Sequence, residues 1–172
     1  MRDQQTVIQP GTPAPEFRLQ SPAIGAASIQ ELVRGMRPAL VVFFKTECPT
    51  CRLAFPFIER IWHRAQSGGE GCGFLGIGQN SELEIQQFFE RMGATFPFAA
   101  DSEPYEVSDR YGITNVPTLF LLDEHGVILR TAVGFSRPAL EQISQEFLAR
   151  VGVEAQPLFA ESDRGVPVLQ PG

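Results

Sequence analysis

Apolar residues follow two rhythms along this chain. Residues 39–45 open with Ala39-Leu40-Val41-Val42-Phe43-Phe44, a nearly unbroken run, as expected of a central strand covered on both faces. Gly73-Phe74-Leu75-Gly76-Ile77-Gly78 predicts a second strand. From Cys51 to about Gln66 the apolar positions are Leu53, Phe57, Ile58, Ile61 and Trp62. That spacing of three and four predicts an amphipathic helix, and Pro56 inside it predicts a kink. Ser81 caps a second helix carrying Ile85, Phe88, Phe89 and Met92 on its apolar face. Arg137-Pro138 opens a third, with Leu140, Ile143, Phe147 and Leu148 facing inward. Ser28, with Glu31 three residues on, reads as a capping box for a short helix through about Arg34.

Weaker signals fill the gaps. Short strands are expected at 16–19, 96–100, 118–122 and 127–131, and a short helix at 104–111. The last two strands are joined by the hairpin turn Asp123-Glu124-His125-Gly126. Residues 7–15 read as an extended arm. Strands alternating with helices, then a closing hairpin and helix, predict an α/β domain with a central mixed sheet flanked by helices on both faces. It spans 1–151, with an N-terminal arm at 1–15. Residues 152–172 form a Pro/Gly-rich tail that nevertheless holds Leu158, Phe159, Val166, Val168 and Leu169. Five such side chains are too apolar for a freely solvated linker, so the tail is expected to be ordered and packed on the domain.

Composition narrows the field. The 172 residues suit one domain plus an extension, and 43% hydrophobic with 20% charged residues is ordinary for a globular protein. A net charge of -6 without a Lys/Arg run excludes a nucleic-acid surface. Three cysteines are too few for a disulfide scaffold. Met1-Arg2-Asp3-Gln4-Gln5-Thr6 lacks the apolar core of a signal peptide, and no run is long enough to span a membrane. The expected location is cytoplasmic, or exported if a leader has been trimmed.

The candidate chemistry is Cys48-Pro49-Thr50-Cys51, where the central strand runs into the first long helix. At a helix start, unpaired N–H groups and the positive dipole end favour an anion such as a thiolate. Cys51 is one turn further on the same face, near enough for a disulfide. Pro49 fits the first turn, where its missing N–H costs nothing. The pair reads as a redox motif, with Cys48 as nucleophile and Cys51 as resolver. Two structural thiols or half of a zinc site are the competing readings.

Several segments together resemble the thioredoxin-like superfamily, in the branch of TlpA/ResA-type thiol-disulfide oxidoreductases and AhpC/TSA redoxins. Gly11-Thr12-Pro13-Ala14-Pro15-Glu16-Phe17 is similar to that branch's opening. Phe43 to Cys51 resembles its strand-to-active-site segment, and Pro56 its helix-kinking proline. Gly112-Ile113-Thr114-Asn115-Val116-Pro117-Thr118 resembles the loop presenting a cis-proline. The resemblance covers about residues 10–150. It implies a thioredoxin-like fold and a redox-active Cys48–Cys51 disulfide needing no metal or organic cofactor. The expected substrate is a disulfide-containing protein or small molecule, and the expected electron donor is of thioredoxin or glutathione type. Val116 and Pro117, with Pro49 and Thr50, would bind substrate. A cis bond would turn the Val116 N–H and C=O outward, to pair with an extended chain as a strand would.

Departures from the pattern bear on mechanism. Val42 stands where thioredoxin keeps a buried Asp and Ala54 where TlpA/ResA-like proteins carry a Glu, either of which would accept the second thiol's proton, and Glu47 replaces the usual Trp. Lys45 and Glu47 are therefore candidate modulators: an anionic Glu47 opposes a thiolate at Cys48 and Lys45 favours one. Cys48-Pro49-Thr50 is also similar to the peroxidatic segment of some peroxiredoxins. Lys45 and Pro117, however, replace the Thr and Arg that would hold peroxide there. Peroxide reduction at Cys48 and a non-catalytic redox-sensing module remain alternatives. Cys72 reads as a small half-buried thiol with a resolving role as the alternative. His63 reads as lying on a solvated helix face, His125 in a turn, and Asp101, Glu103, Glu106 and Asp109 as a solvated acidic loop and helix.

Overall fold

The computed structural model describes residues 6–69, 71–154 and 156–172. Its strands are β1 (Leu19–Ser21), β2 (Gly25–Ala27), β3 (Ala39–Phe44), β4 (Gly73–Gly78), β5 (Phe98–Ala100), β6 (Thr118–Leu122), β7 (Ile128–Val133), β8 (Phe135–Ser136) and β9 (Leu169–Gln170). Its helices are α1 (Ile29–Leu32), α2 (Pro49–Ala65), α3 (Glu82–Met92), α4 (Glu106–Arg110) and α5 (Arg137–Arg150), with a 3-10 turn at Glu161–Asp163. The main sheet has the order β5-β4-β3-β6-β7. β3 pairs in parallel with β4 and antiparallel with β6, so the sheet is mixed. This is a thioredoxin-like α/β architecture.

All six residues of β3 are buried, and their alternation builds two aromatic clusters. Phe44 packs with Phe55 of α2 and with Phe88 and Phe89 of α3, at centroid distances of 5.0–6.0 Å. Its neighbour Phe43 points to the other face, against Tyr111 and Phe120 at 5.1 and 5.8 Å. Because side chains alternate along a strand, this one pair fixes α2 and α3 on one face and the end of α4 on the other. Gly78 lets α3 come close, since a Cβ there would lie 2.6 Å from Ile85, and Gly76 makes room for Phe96, which such a Cβ would meet at 2.9 Å.

The arm lies along the outer strand β7. Gly11 N–H donates to Ile128 O at 2.7 Å and Ile128 N–H to Thr12 O at 2.9 Å. The segment at 16–19 differs from expectation. Glu16 Oε1 accepts from Phe17 N and Ile29 N, at 3.1 and 2.8 Å. That ties this backbone to the start of α1, so the strand begins at Leu19 and forms a hairpin with the unexpected β2. α2 runs unbroken through Pro56, which is exposed. Asp101 also departs from the solvated reading. It is 4% exposed and accepts from Val107 N, Ser108 N and Ser108 Oγ. Tyr105 offers α4 no side-chain cap, so Asp101 satisfies those amides from a distance.

The tail returns to the domain. Leu158 is fully buried, and Phe159 packs on Phe57 at 4.6 Å with the Arg137 guanidinium over its other side. Arg60 of α2 donates to Leu158 O at 2.7 Å and to Asp163 Oδ2 at 2.9 Å. Val166 is half-buried. Val168 and Leu169 differ from the expected packing, being 58% and 68% exposed. Backbone pairing holds this stretch instead: Arg137 N–H donates to Val168 O, and β9 pairs with β8.

Candidate active site

The carboxyl end of β3 delivers the chain to the first turn of α2, and Cys48 is that helix's N-cap. Its extended backbone, φ −76° and ψ 118°, turns Sγ back over the helix end, where it accepts from Cys51 N at 3.3 Å. Pro49 occupies the first turn and is exposed. A donor-free residue suits this position because the turn already has more N–H groups than acceptors. Cys48 is half-buried, Cys51 fully buried, and both are free thiols.

The loop before β6 closes the other side. The Val116–Pro117 bond is cis, as the resemblance implied. Val116 O accepts from Cys48 Sγ at 3.4 Å, so residues 68 positions apart meet at this sulfur. Thr118 Oγ1 donates to Asn115 O at 2.7 Å and Gly134 N–H to Pro117 O at 2.8 Å, fixing the loop from both sides.

Burial raises the Cys51 thiol far above its ordinary value, and the hydrogen bond with Cys48 pushes the same way; the Lys45 backbone works against them. Val42 and Ala54, at the positions where an acid was missing from the sequence, are fully buried. The carboxylate that acts on Cys51, Glu47, disfavours its ionisation. Glu47 itself is exposed and tied sideways, accepting from Thr46 Oγ1 at 2.7 Å and Asn80 Nδ2 at 2.9 Å. Those two bonds lower its carboxyl below the ordinary range. Lys45 is half-buried and lines a cleft of about 200 Å³ with Gln79, Tyr105, Asp109 and Val116.

Thr50 is 4% exposed. Its Oγ1 donates to Pro171 O at 2.6 Å and accepts from Gln170 Nε2 at 2.9 Å. Asn115 Nδ2 donates to Gly172 O at 3.0 Å. The sequence named the tail's apolar clusters but gave no signal for these polar partners. Cys72 precedes β4, whose first residue pairs with Ala39, whereas Cys48 lies beyond the opposite end of β3. Six strand residues, about 20 Å, separate the two levels, which removes Cys72 from any exchange with Cys48 in the same chain. Desolvation raises its thiol. The His63 and His125 side chains are 68% and 63% exposed. Among the described residues no three His, Cys, Asp or Glu side chains converge as a metal site requires.

Known proteins are similar to this chain. The redoxin family model matches residues 9–145. The thiol-disulfide oxidoreductase ResA of Halalkalibacterium halodurans is 32% identical over 114 residues, which cover 66% of this chain and 61% of that protein. ResA of Geobacillus thermodenitrificans is 28% identical over 131 residues, covering 76% and 73%. A thioredoxin family thiol:disulfide interchange protein from Chlorobium tepidum superposes with a TM-score of 0.64 at 26% identity, covering 83% of this chain and 99% of that one. With a cysteine pair at a helix start, a cis-proline across from it and a family match over most of its length, the chain belongs to the redoxin family, in its ResA-type, thioredoxin-like branch.

Proposed function

We propose that the protein is a thiol–disulfide oxidoreductase in which Cys48 attacks and Cys51 resolves. The observation that carries this reading is the position of Cys48 Sγ, 3.3 Å from the Cys51 amide and 3.4 Å from the Val116 carbonyl. The amide is an anion-stabilising donor at a helix terminus. Val116 offers backbone to an extended disulfide-bearing chain. The Cys48 thiolate attacks one sulfur of the substrate disulfide, forming a mixed disulfide and expelling the other sulfur as thiolate. Cys51, once deprotonated, attacks Cys48 Sγ, closes the Cys48–Cys51 disulfide and expels the second substrate sulfur. Two electrons pass to the substrate. One dithiol donor of thioredoxin type, or two monothiols of glutathione type, restores the pair by the reverse exchange and leaves as a disulfide.

The raised Cys51 thiol makes the second step depend on removing a proton that no buried acid among the described residues is placed to take. The expelled substrate thiolate is the base generated where it is needed. The test is a disulfide-reduction assay on reduced protein. Cys51→Ser should accumulate a mixed disulfide detectable by mass, and Cys48→Ser should form none. Turnover by Cys48→Ser would overturn the assignment.

A further inference from the structure

We propose that residues 169–172 are a built-in occupant of the Val116 strip, which selects small disulfides over polypeptide ones until the segment lifts. The inference rests on the assignment of Val116 as the substrate edge. It joins three observations.

The segment lies on that edge. A Cβ on Gly172 would be 2.3 Å from Val116 O and 3.1 Å from Val116 N, so the Gly172 backbone sits against both groups an extended substrate would pair with. Asn115 holds Gly172 O at 3.0 Å, and Thr50 holds Pro171 O at 2.6 Å. Two positions first read as substrate-facing, Thr50 and Val116, are thus covered by the chain's own backbone. Gly134 admits the segment from the far side, since a Cβ there would meet Gln170 O at 3.0 Å.

The segment is delivered by an anchor but is not itself one. Leu158 and Phe159 are packed into the domain, whereas Val168 and Leu169 are exposed. Beyond Val166 the stretch is held by hydrogen bonds: Arg137 N–H to Val168 O, the β8–β9 pair, Gln170 to Thr50, and the two just described. The Asn115 bond is exposed and the Thr50 bonds are half-buried, and once the segment lifts their groups can pair with water or with a competing chain. A tethered segment has an effective concentration in the millimolar range, enough to compete with a dilute protein substrate yet not to exclude one that binds well.

Cys48 remains half-exposed with the segment in place. A compact disulfide can therefore approach the sulfur, while an extended chain must first displace residues 169–172 to pair with Val116.

The experiment compares the full chain with two variants, one ending at Val168 and one carrying Gly172→Val, whose side chain has no room beside Val116 O. Each is assayed with glutathione disulfide and with a disulfide-bonded polypeptide. Both variants should raise kcat/KM for the polypeptide about tenfold, chiefly through KM, and leave glutathione disulfide within twofold. Alkylation of reduced Cys48 by a bulky maleimide should accelerate in parallel, and this readout needs no turnover. Accelerated labelling without turnover on either substrate would keep the strap and discard the oxidoreductase reading. Unchanged labelling and unchanged substrate preference, in variants that keep the wild-type circular dichroism, would overturn the proposal. So would a loss of polypeptide activity, which would make the segment part of the docking surface.

Discussion

The two ends of α2 use polar groups for opposite purposes. At the amino end the helix leaves donors unspent, and Cys48 Sγ takes one of them at 3.3 Å. Cys48 and Thr50 there are short, and they meet the Val116 carbonyl and, in the tail, the Pro171 carbonyl and the Gln170 side chain. Nearer the carboxyl end, long side chains reach outward and clamp. Glu59, 9% exposed, accepts from Thr95 N at 2.9 Å and pairs with His63. Arg60 holds Leu158 O and Asp163, and Arg64 donates to Gln156 O and Pro157 O. One end keeps hydrogen-bonding capacity available to a reacting atom, while the other consumes it in tying distant segments together. Reactivity and stability are thus separable along a single helix.

The separation can be broken most severely at the reactive end. Cys48→Ser should lower disulfide turnover by about 10³-fold or more, while the thermal midpoint stays close to wild type. A large drop in the midpoint would mean that the end is structural too. Next in size is the clamp's apolar seat. Leu158→Ala should destabilise by about 2–4 kcal/mol in denaturant unfolding, as expected for a fully buried leucine, and should leave Cys48 alkylation of the folded protein within a few-fold. Arg60→Ala strips partners from Leu158 O and Asp163 and should cost about 1–2 kcal/mol; no change would show that water replaces the guanidinium.

The smallest expected effect concerns pH. Burial raises Cys51 in the folded chain, so the folded state keeps a proton that the unfolded state releases above about 8.5. The stabilisation is complete below that value and falls as pH rises, by at most about 1.4 kcal/mol per pH unit. Between pH 8.5 and 10, reduced wild type should lose stability more steeply than Cys51→Ala. Parallel curves would show that the thiol ionises as freely as in the unfolded chain.

The parts of the molecule legible in the sequence were local. β3, α2, α3 and α5 followed from periodicity and caps, because a helix or buried strand writes its burial into spacing. The Cys48–Cys51 pair was legible for the same reason, being a motif at a strand-to-helix junction. Val116 was harder: nothing in its neighbourhood points to Cys48 except the resemblance of residues 112–118 to a family loop. Glu59 with Thr95, Asp101 with Ser108, and Thr50 with Pro171 were not legible. Each joins residues of separate segments, from seven to 121 positions apart, through one or two hydrogen bonds, and periodicity carries no record of such pairings. Val168 and Leu169 misled because hydrophobicity predicts burial on average, whereas here the backbone ladder does the holding and the side chains face solvent.

The arm along β7 has a consequence for behaviour at high concentration. In the order β5-β4-β3-β6-β7, the sheet ends on one side in β5, three residues long, and on the other in β7, six residues long. A long bare margin invites a second molecule to add its own strand, the usual start of aggregation. Residues 8–14 occupy that margin: besides the two bonds to Ile128, Ala14 N–H donates to Gly126 O at 2.9 Å and Thr131 Oγ1 to Ile8 O at 3.0 Å. The arm thus covers part of the longer of the main sheet's two margins, so a neighbouring copy meets less open backbone there than the length of β7 alone would offer.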